Sequence, residues 1–408
     1  MWAAACAFLI WTAACAAAIV TGSHSVGGPA VMADLVRDRF PLLVALVVTC
    51  VPLGLGAGYL GHRGASQSAR FSLARAVCAG GFAGITGGWA FGKWMEQAGF
   101  FPLVAGLVRS NSVGVGVALH FAIAVVIGAT FGLLFQREIR GLGSSLAWGA
   151  AYGIVWWFVG ALTLLPLISG LEPDWTYTQA AARFGSLVGH IIYGLIVGLL
   201  YAAVDGAWTW LFERTDPLNR EIEGSGVSAL SALARGAAAS LIGGLLFSIV
   251  MVMKGTLPRV ARIVGMTSPG IGFIVHLVVA AFIGATYGLL FHYEASDDRA
   301  AVAWGTLYGL IWWFLGPLTL FPILLGGTFT WTTEAAGAQL PSLVGHMIYG
   351  IALAVTFRAL ERRHLQELFV DERLKRRWER RRRPAGTSAP AVWLFFSGMN
   401  VVLPIVLG

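Results

Sequence analysis

Runs of about twenty residues with almost no charge recur from one end of this chain to the other. As an α-helix, a run of that length spans the hydrocarbon core of a bilayer, which is about 30 Å thick. The runs are continuous and rich in Leu, Ala, Gly and Val, whereas the strands of an outer-membrane barrel alternate over about ten residues. Helices that satisfy their own backbone hydrogen bonds are therefore the expected element. Of the 408 residues, 57% are apolar and 12% are Asp, Glu, Lys or Arg, roughly half the charged share of an ordinary soluble domain. The sequence predicts an all-α integral membrane protein and excludes a water-soluble globular enzyme.

About eleven spans are predicted, at 2–21, 40–60, 72–96, 113–135, 144–168, 184–204, 229–253, 270–291, 301–325, 341–360 and 390–408. Loops with Arg63, Arg70 and Arg75, and with Arg137 and Arg140, alternate with an acidic loop holding Glu172 and Asp174. By the excess of basic residues in cytoplasmic loops, the amino terminus, the basic loops and residues 361–389 are expected in the cytoplasm. Lys254, Arg259 and Arg262 run against that pattern, on the predicted outer side. Much of the net charge of +8 lies between Arg362 and Arg383, which reads as a segment meeting anionic lipid headgroups at residues 361–383 rather than nucleic acid. Cys6, Cys15, Cys50 and Cys78 show no CxxC spacing and read as small packing residues. Residues 1–20 lack a basic leader and precede further spans, so they read as a retained helix.

Sliding the sequence against itself reveals an internal repeat at an offset of 156 residues. HFAIAVVIGATFGLLF from His120 meets HLVVAAFIGATYGLLF from His276, the segment Trp148–Gly170 meets Trp304–Gly326, and SLVGHIIYG from Ser186 meets SLVGHMIYG from Ser342. The unit is expected to begin at the Leu-Ala-Arg of Leu73 and again at that of Leu233, with a shift of about four residues in the first connecting loop. The domains predicted are two amino-terminal helices (1–71), repeat unit 1 (72–205), a cytoplasmic linker (206–228), repeat unit 2 (229–360), the basic segment (361–389) and a last helix (390–408). Because four spans is an even number, both copies enter from the same side. The expectation is two tandem parallel four-helix units related by a pseudo-two-fold along the membrane normal.

Histidine stands out among the residues present in both copies. His120, His190, His276 and His346 all lie six or seven residues into spans that run from outside to inside, which puts them at one depth, roughly 10 Å below the outer edge. Ionisable side chains within a membrane mark pathways, relays or cofactors, and neutral imidazole ligates haem iron, copper or zinc. The alternative is that each histidine bonds a helix carbonyl or a tyrosine hydroxyl and serves packing. Tyr193 and Tyr349 follow the Gly-His pairs, and Gly128 and Gly284 belong to glycine rows at four-residue spacing that let helices approach closely. Trp156, Trp157, Trp312 and Trp313 sit near mid-span, facing a core or a cavity, and Pro166 and Pro322 end or bend those spans. Trp175 and Trp331 in the outer loops read as interface anchors, and Ser186 and Ser342 as residues of the first turn of the next helix.

No P-loop, GxSxG, HExxH or CxxC motif occurs. The outer-loop acids Glu172, Asp174 and Glu334 have no acidic counterpart in the other copy, so a paired-carboxylate mechanism has no support and no catalytic residue is assigned. The Trp-Gly that opens Trp148–Pro166, the loop Trp175 and the pair Gly189-His190, with Trp304–Pro322, Trp331 and Gly345-His346, resemble YagU-type bacterial inner-membrane proteins. That resemblance covers each four-helix unit and implies a multi-pass protein of the bacterial cytoplasmic membrane. The expected function is a non-enzymatic permease or channel for a small solute or ion, with the four histidines lining a pathway between the repeats. The alternatives are a redox or cofactor-binding protein with bis-histidine haem or metal sites, and a scaffold or assembly subunit.

Overall fold

The computed structural model describes residues 37–49, 69–208 except 137 and 140, 225–368 except 293, 295 and 296, and 389–407. The span predicted at 2–21, residues 50–60 of the second span, and most of the linker and basic segment lie outside the described residues. The first helix, α1, covers residues 37–49. It is followed by α2 (Ala69–Gln97), the short α3 (Phe101–Ala105), α4 (Val113–Phe135), α5 (Leu142–Trp156), the short α6 (Tyr177–Ala182) and α7 (Phe184–Trp208). The second set is α8 (Ser225–Met253), α9 (Leu257–Ala261), α10 (Pro269–Phe291), α11 (Asp298–Leu315), α12 (Thr333–Ala338) and α13 (Leu340–Leu368), and α14 begins at Ala389. Among the described residues there is no strand.

Eight helices among the described residues are long and apolar enough to cross a membrane, as a polytopic membrane protein requires. They match eight of the predicted spans. The helix at the span predicted for 72–96 is 29 residues long but is not one of the eight. Its end carries the exposed Lys93–Glu96 pair at 3.0 Å, and its interior is diluted by glycine.

The chain divides into two compact units, one of residues 1–139, 145–207 and 396–408, the other of 140–144 and 208–395. Helix bounds in the second follow those in the first at the same interval of 156 residues: Ala69 and Ser225 open helices of 29 residues, and Val113 and Pro269 open helices of 23. The four-residue loop shift expected from the two Leu-Ala-Arg motifs is therefore absent. What moved is the arginine, by one turn along the same helix. Arg75 pairs with Asp205 at 3.1 Å, and Arg235, which replaces Ala79 rather than Arg75, pairs with Glu361 at 2.8 Å. Aspartate and glutamate thus occupy equivalent positions, and the longer acid meets the displaced base.

Helix packing depends on the glycine rows. A Cβ on Gly128 would lie 2.3 Å from the Gly80 carbonyl oxygen, and one on Gly236 would lie 2.1 Å from that of Gly284. Between α5 and α7, Gly149 and Gly194 each bring a backbone oxygen within 2.0 Å of where the other's Cβ would be. Association in lipid gains little from apolar burial, so close backbone approach and dispersion supply the attraction. Cys78 is exposed, which removes it from the packing residues the sequence suggested.

The first unit also contains flanking helices. Phe40, Leu43, Val44 and Val47 of α1 are buried, with the Phe40 ring 6.4 Å from Phe158 and 6.2 Å from Tyr177. The Tyr177 hydroxyl donates to the carbonyls of Pro404 and Ile405 at 2.9 and 3.1 Å. Thr333 stands at the equivalent place in the second unit, and the span from Leu340 is 39% buried against 61% for the span from Phe184. The span from Leu340 is therefore less covered by its own chain than the span from Phe184.

Arg109 adopts φ 59°, whereas its counterpart is Gly265 at φ 73°. A left-handed conformation costs a side-chain-bearing residue roughly 1 kcal/mol that glycine avoids. Arg109→Gly is expected to raise the melting temperature by about 2 °C in a detergent melt.

Candidate functional site

Each unit brings two of the four histidines together around one phenylalanine. His120, 7% exposed, reaches from α4 to α2, where its Nε2–H donates to the Gly88 carbonyl at 2.8 Å. His276 is 8% exposed and does the same to Gly244 at 3.0 Å. A glycine leaves the carbonyl accessible and lets the imidazole-bearing helix come near. His190 and His346 are held instead by their own helices. His190 Nδ1–H donates to the Ser186 carbonyl at 2.7 Å, and His346 Nδ1–H to that of Ser342 at 2.8 Å. Ser186 and Ser342 add hydroxyl contacts to the same nitrogens at 3.4 and 3.2 Å.

Phe91 lies 5.9 Å from His120 and 4.8 Å from His190, at 76° and 60° to their rings. Phe247 lies 5.3 Å from His276 and 4.8 Å from His346, at 88° and 62°. The glycine before the second histidine seats this ring: a Cβ on Gly189 would be 2.1 Å from Phe91 Cε2, and one on Gly345 2.0 Å from Phe247 Cε2. The Gly-His pair is thus one structural unit, a notch for phenylalanine followed by an imidazole. Tyr193 and Tyr349 secure it by donating to the carbonyls of Ala124 and Ala280 at 2.6 and 2.7 Å. Gly128 and Gly284 serve the helix contact next to it.

The two imidazoles of a unit are anchored through opposite nitrogens, Nε2 in His120 and His276, Nδ1 in His190 and His346. The anchored nitrogens are N–H donors, which leaves the second nitrogen of a neutral ring as an acceptor. His190 and His346 are half-buried, and Nε2 of His346 comes within 3.4 Å of where a Cβ on Gly316 would lie. A porphyrin held between His120 and His190 does not fit this arrangement, because Phe91 is wedged between the rings and His120 Nε2 is committed to a carbonyl. Among the described residues, no group of three or more His, Cys, Asp or Glu is placed to hold a metal ion.

The tryptophan-bearing spans change geometry beside these histidines. After Trp156 the helix widens into π turns over Trp157–Leu164, then resumes over Leu165–Ile168 with Pro166 in its first turn. In the second unit, α11 widens over Gly316–Leu320 and resumes over Phe321–Leu324 with Pro322. Each proline lacks an N–H and crowds the preceding turn, and a widened turn relieves that crowding. Thr163 and Thr319 donate to the carbonyls of Phe158 and Phe314, five residues back, at 2.9 and 2.8 Å.

The tryptophans of the loops that follow bind these same hydroxyls. Trp175 Nε1–H donates to Thr163 at 3.2 Å, and Trp331 Nε1–H to Thr319 at 2.9 Å. They strap the loop to the π turn. Trp157 and Trp313 are buried and donate to the carbonyls of Arg183 and Gln339 at 3.3 and 3.0 Å. Trp156 and Trp312 are half-buried against Tyr152 and Tyr308 at 6.1 and 6.2 Å. In the loop itself, the backbone N–H of Thr176 donates to Asp174 at 2.9 Å and holds that carboxyl below its ordinary range.

Two groups were missed by reading the sequence. Phe91 and Phe247 match at the interval of 156, as do Asp205 and Glu361; the four-residue shift placed in the first connecting loop hid the first match, and the second pairs two different acids, which a search for identical residues passes over. No protein-family model matches the chain, and no curated protein or solved structure matches it.

Proposed function

We propose that the chain is a non-enzymatic permease or channel-like protein of the bacterial cytoplasmic membrane, made of two tandem four-helix units. His190 and His346 are its pathway residues, and His120 and His276 position them through the intervening phenylalanine. The observation that carries this reading is the duplicated His–Phe–His arrangement. In each unit one imidazole is sealed against a glycine carbonyl and the other is half-buried, held only by its own helix. Structural packing alone does not require an ionisable ring in membrane at both positions of both copies, because ionisable groups in that setting are costly. The amino terminus and residues 361–389 lie on the cytoplasmic side in this reading, with the basic segment on anionic headgroups. The likeness of each unit to YagU-type proteins supports the same membrane. The cofactor reading is disfavoured by the wedged phenylalanine.

The test is flux in liposomes containing the purified full-length protein. Proton entry under a potassium diffusion potential is followed by a pH dye, and entry of small uncharged solutes by swelling. Wild type is expected to exceed protein-free vesicles in one of these, and His190→Ala with His346→Ala to lower that flux at least tenfold. His120→Ala with His276→Ala is expected to lower it less. Full flux in the His190/His346 variant overturns the pathway assignment. Wild-type vesicles no leakier than empty ones in either assay overturn the permease reading and favour a scaffold.

A further inference from the structure

Among the polar atoms that the second unit buries without a hydrogen-bond partner are the hydroxyl of Tyr287 on α10 and Nε1 of Trp304 on α11. Both residues are 0% exposed. The Phe291 ring joins them, 4.9 Å from Tyr287 and 5.3 Å from Trp304. Tyr308 and Phe357 complete the cluster, 5.2 and 5.6 Å from Tyr287. The deficit is local. Tyr308 in the same cluster shares its hydroxyl with Thr286 at 2.6 Å and donates to Ile283 at 2.8 Å, and Tyr349 and Trp313 are bonded as described above.

The first unit shows how the deficit arose. Phe131 stands where Tyr287 does, and Tyr201 where Phe357 does. The two ring pairs have the same geometry, 5.8 Å at 82° for Phe131–Tyr201 and 5.6 Å at 83° for Tyr287–Phe357. The hydroxyl has therefore crossed from one ring of the pair to the other. On Tyr201 it lies on α7, one turn before Asp205, whereas on Tyr287 it belongs to the aromatic cluster that also buries the Trp304 indole. Phenylalanine serves at this position in the first unit, so packing does not call for the hydroxyl. A buried hydroxyl left unmatched forfeits its hydration, and orphaned groups in folded proteins commonly mark ordered water.

We propose that the second unit binds ordered water at the Tyr287 hydroxyl and the Trp304 indole, and that the first unit binds none at the corresponding place. Water suits the donors: it accepts from the indole N–H and exchanges either role with the phenol. The rings around the two atoms carry no charge, so the site favours a small neutral ligand over an ion. Among the described residues, the ion pairs of this unit are made elsewhere, by Arg235 with Glu361 at 2.8 Å and by Arg358 with Asp298 at 4.0 Å. At this one place the second unit holds water and the first does not.

Two measurements on the full-length protein in detergent test this. Tyr287→Phe installs the first unit's residue without altering the ring. If water bridges the hydroxyl, the variant melts about 2–4 °C lower, because the water loses a partner. An unchanged or raised melting temperature overturns the proposal, since deleting a truly orphaned hydroxyl relieves a cost. Nitrogen-15 NMR of the tryptophan indoles, assigned with Trp304→Phe and Trp313→Phe, provides a readout independent of stability. The Trp304 N–H is expected to exchange with D2O at least tenfold faster than that of Trp313, which is equally buried but bonded to a carbonyl. Equal or slower exchange at Trp304 overturns the proposal.

Discussion

Alanine in place of Gly189 is expected to cost about 2 kcal/mol of stability and to part His190 from His120. The added carbon would sit 2.1 Å from Phe91 Cε2, 2.2 Å from Cδ2 and 3.1 Å from Cζ, and a ring wedged between two helices has no free rotamer to retreat into. Overpacking of this kind costs about 1–3 kcal/mol. Phe91→Leu removes the ring edge, so in that background the same Gly189→Ala change should cost less than half as much. The four melting temperatures of the cycle measure the coupling. Additive effects would show that Phe91 is not what the glycine accommodates. Gly345→Ala and Phe247→Leu repeat the experiment in the second unit, where the distance is 2.0 Å. The flux expected through His190 and His346 should fall with Gly189→Ala and Gly345→Ala together, because both imidazoles leave the phenylalanine that sets them.

The legible part of this molecule is what its period encodes. Apolar length predicts the spans, and an interval of 156 residues aligns the starts of the long helices to the residue. It also marks the histidines and glycines without saying what they touch. The phenylalanines between the histidines lie on α2 and α8, distant in sequence, and their match is seen only if the repeat is carried through without a shift. Arg75 and Arg235 invited that shift, since two identical Leu-Ala-Arg motifs suggest equal positions, although one turn of helix separates equivalent contacts by four residues. The imidazole nitrogen that bonds a carbonyl depends on side-chain direction, which spacing does not specify. Trp175 and Trp331 read as interface anchors because tryptophan concentrates there, and that reading does not say what each indole N–H bonds. The widened turns at Thr163 and Thr319 bring a hydroxyl within reach of each indole, and those turns follow from prolines whose effect depends on the surrounding helix.

The displaced arginine yields the sharpest energetic prediction. The Arg235 and Glu361 side chains are 13% and 11% exposed, against 23% and 32% for Arg75 and Asp205. Removing one partner of a buried pair leaves an uncompensated charge at a cost of about 3 kcal/mol or more, whereas a more exposed pair is worth about 1 kcal/mol or less. Glu361→Ala should therefore destabilise several times more than Asp205→Ala, as read from thermal or denaturant unfolding in detergent. Arg235 also donates to Ser231, which occupies the position of Arg75, so the first unit's arrangement can be rebuilt in the second. Ser231→Arg, Arg235→Ala and Glu361→Asp together move the base back one turn and shorten the acid to match. If the helix kept its register while the arginine migrated, this triple variant should recover at least half of the stability lost in Glu361→Ala. A triple variant no more stable than the single one would mean that the two ion pairs are not equivalent contacts, and that the agreement of helix bounds at 156 residues does not extend to the side chains at this end of the units.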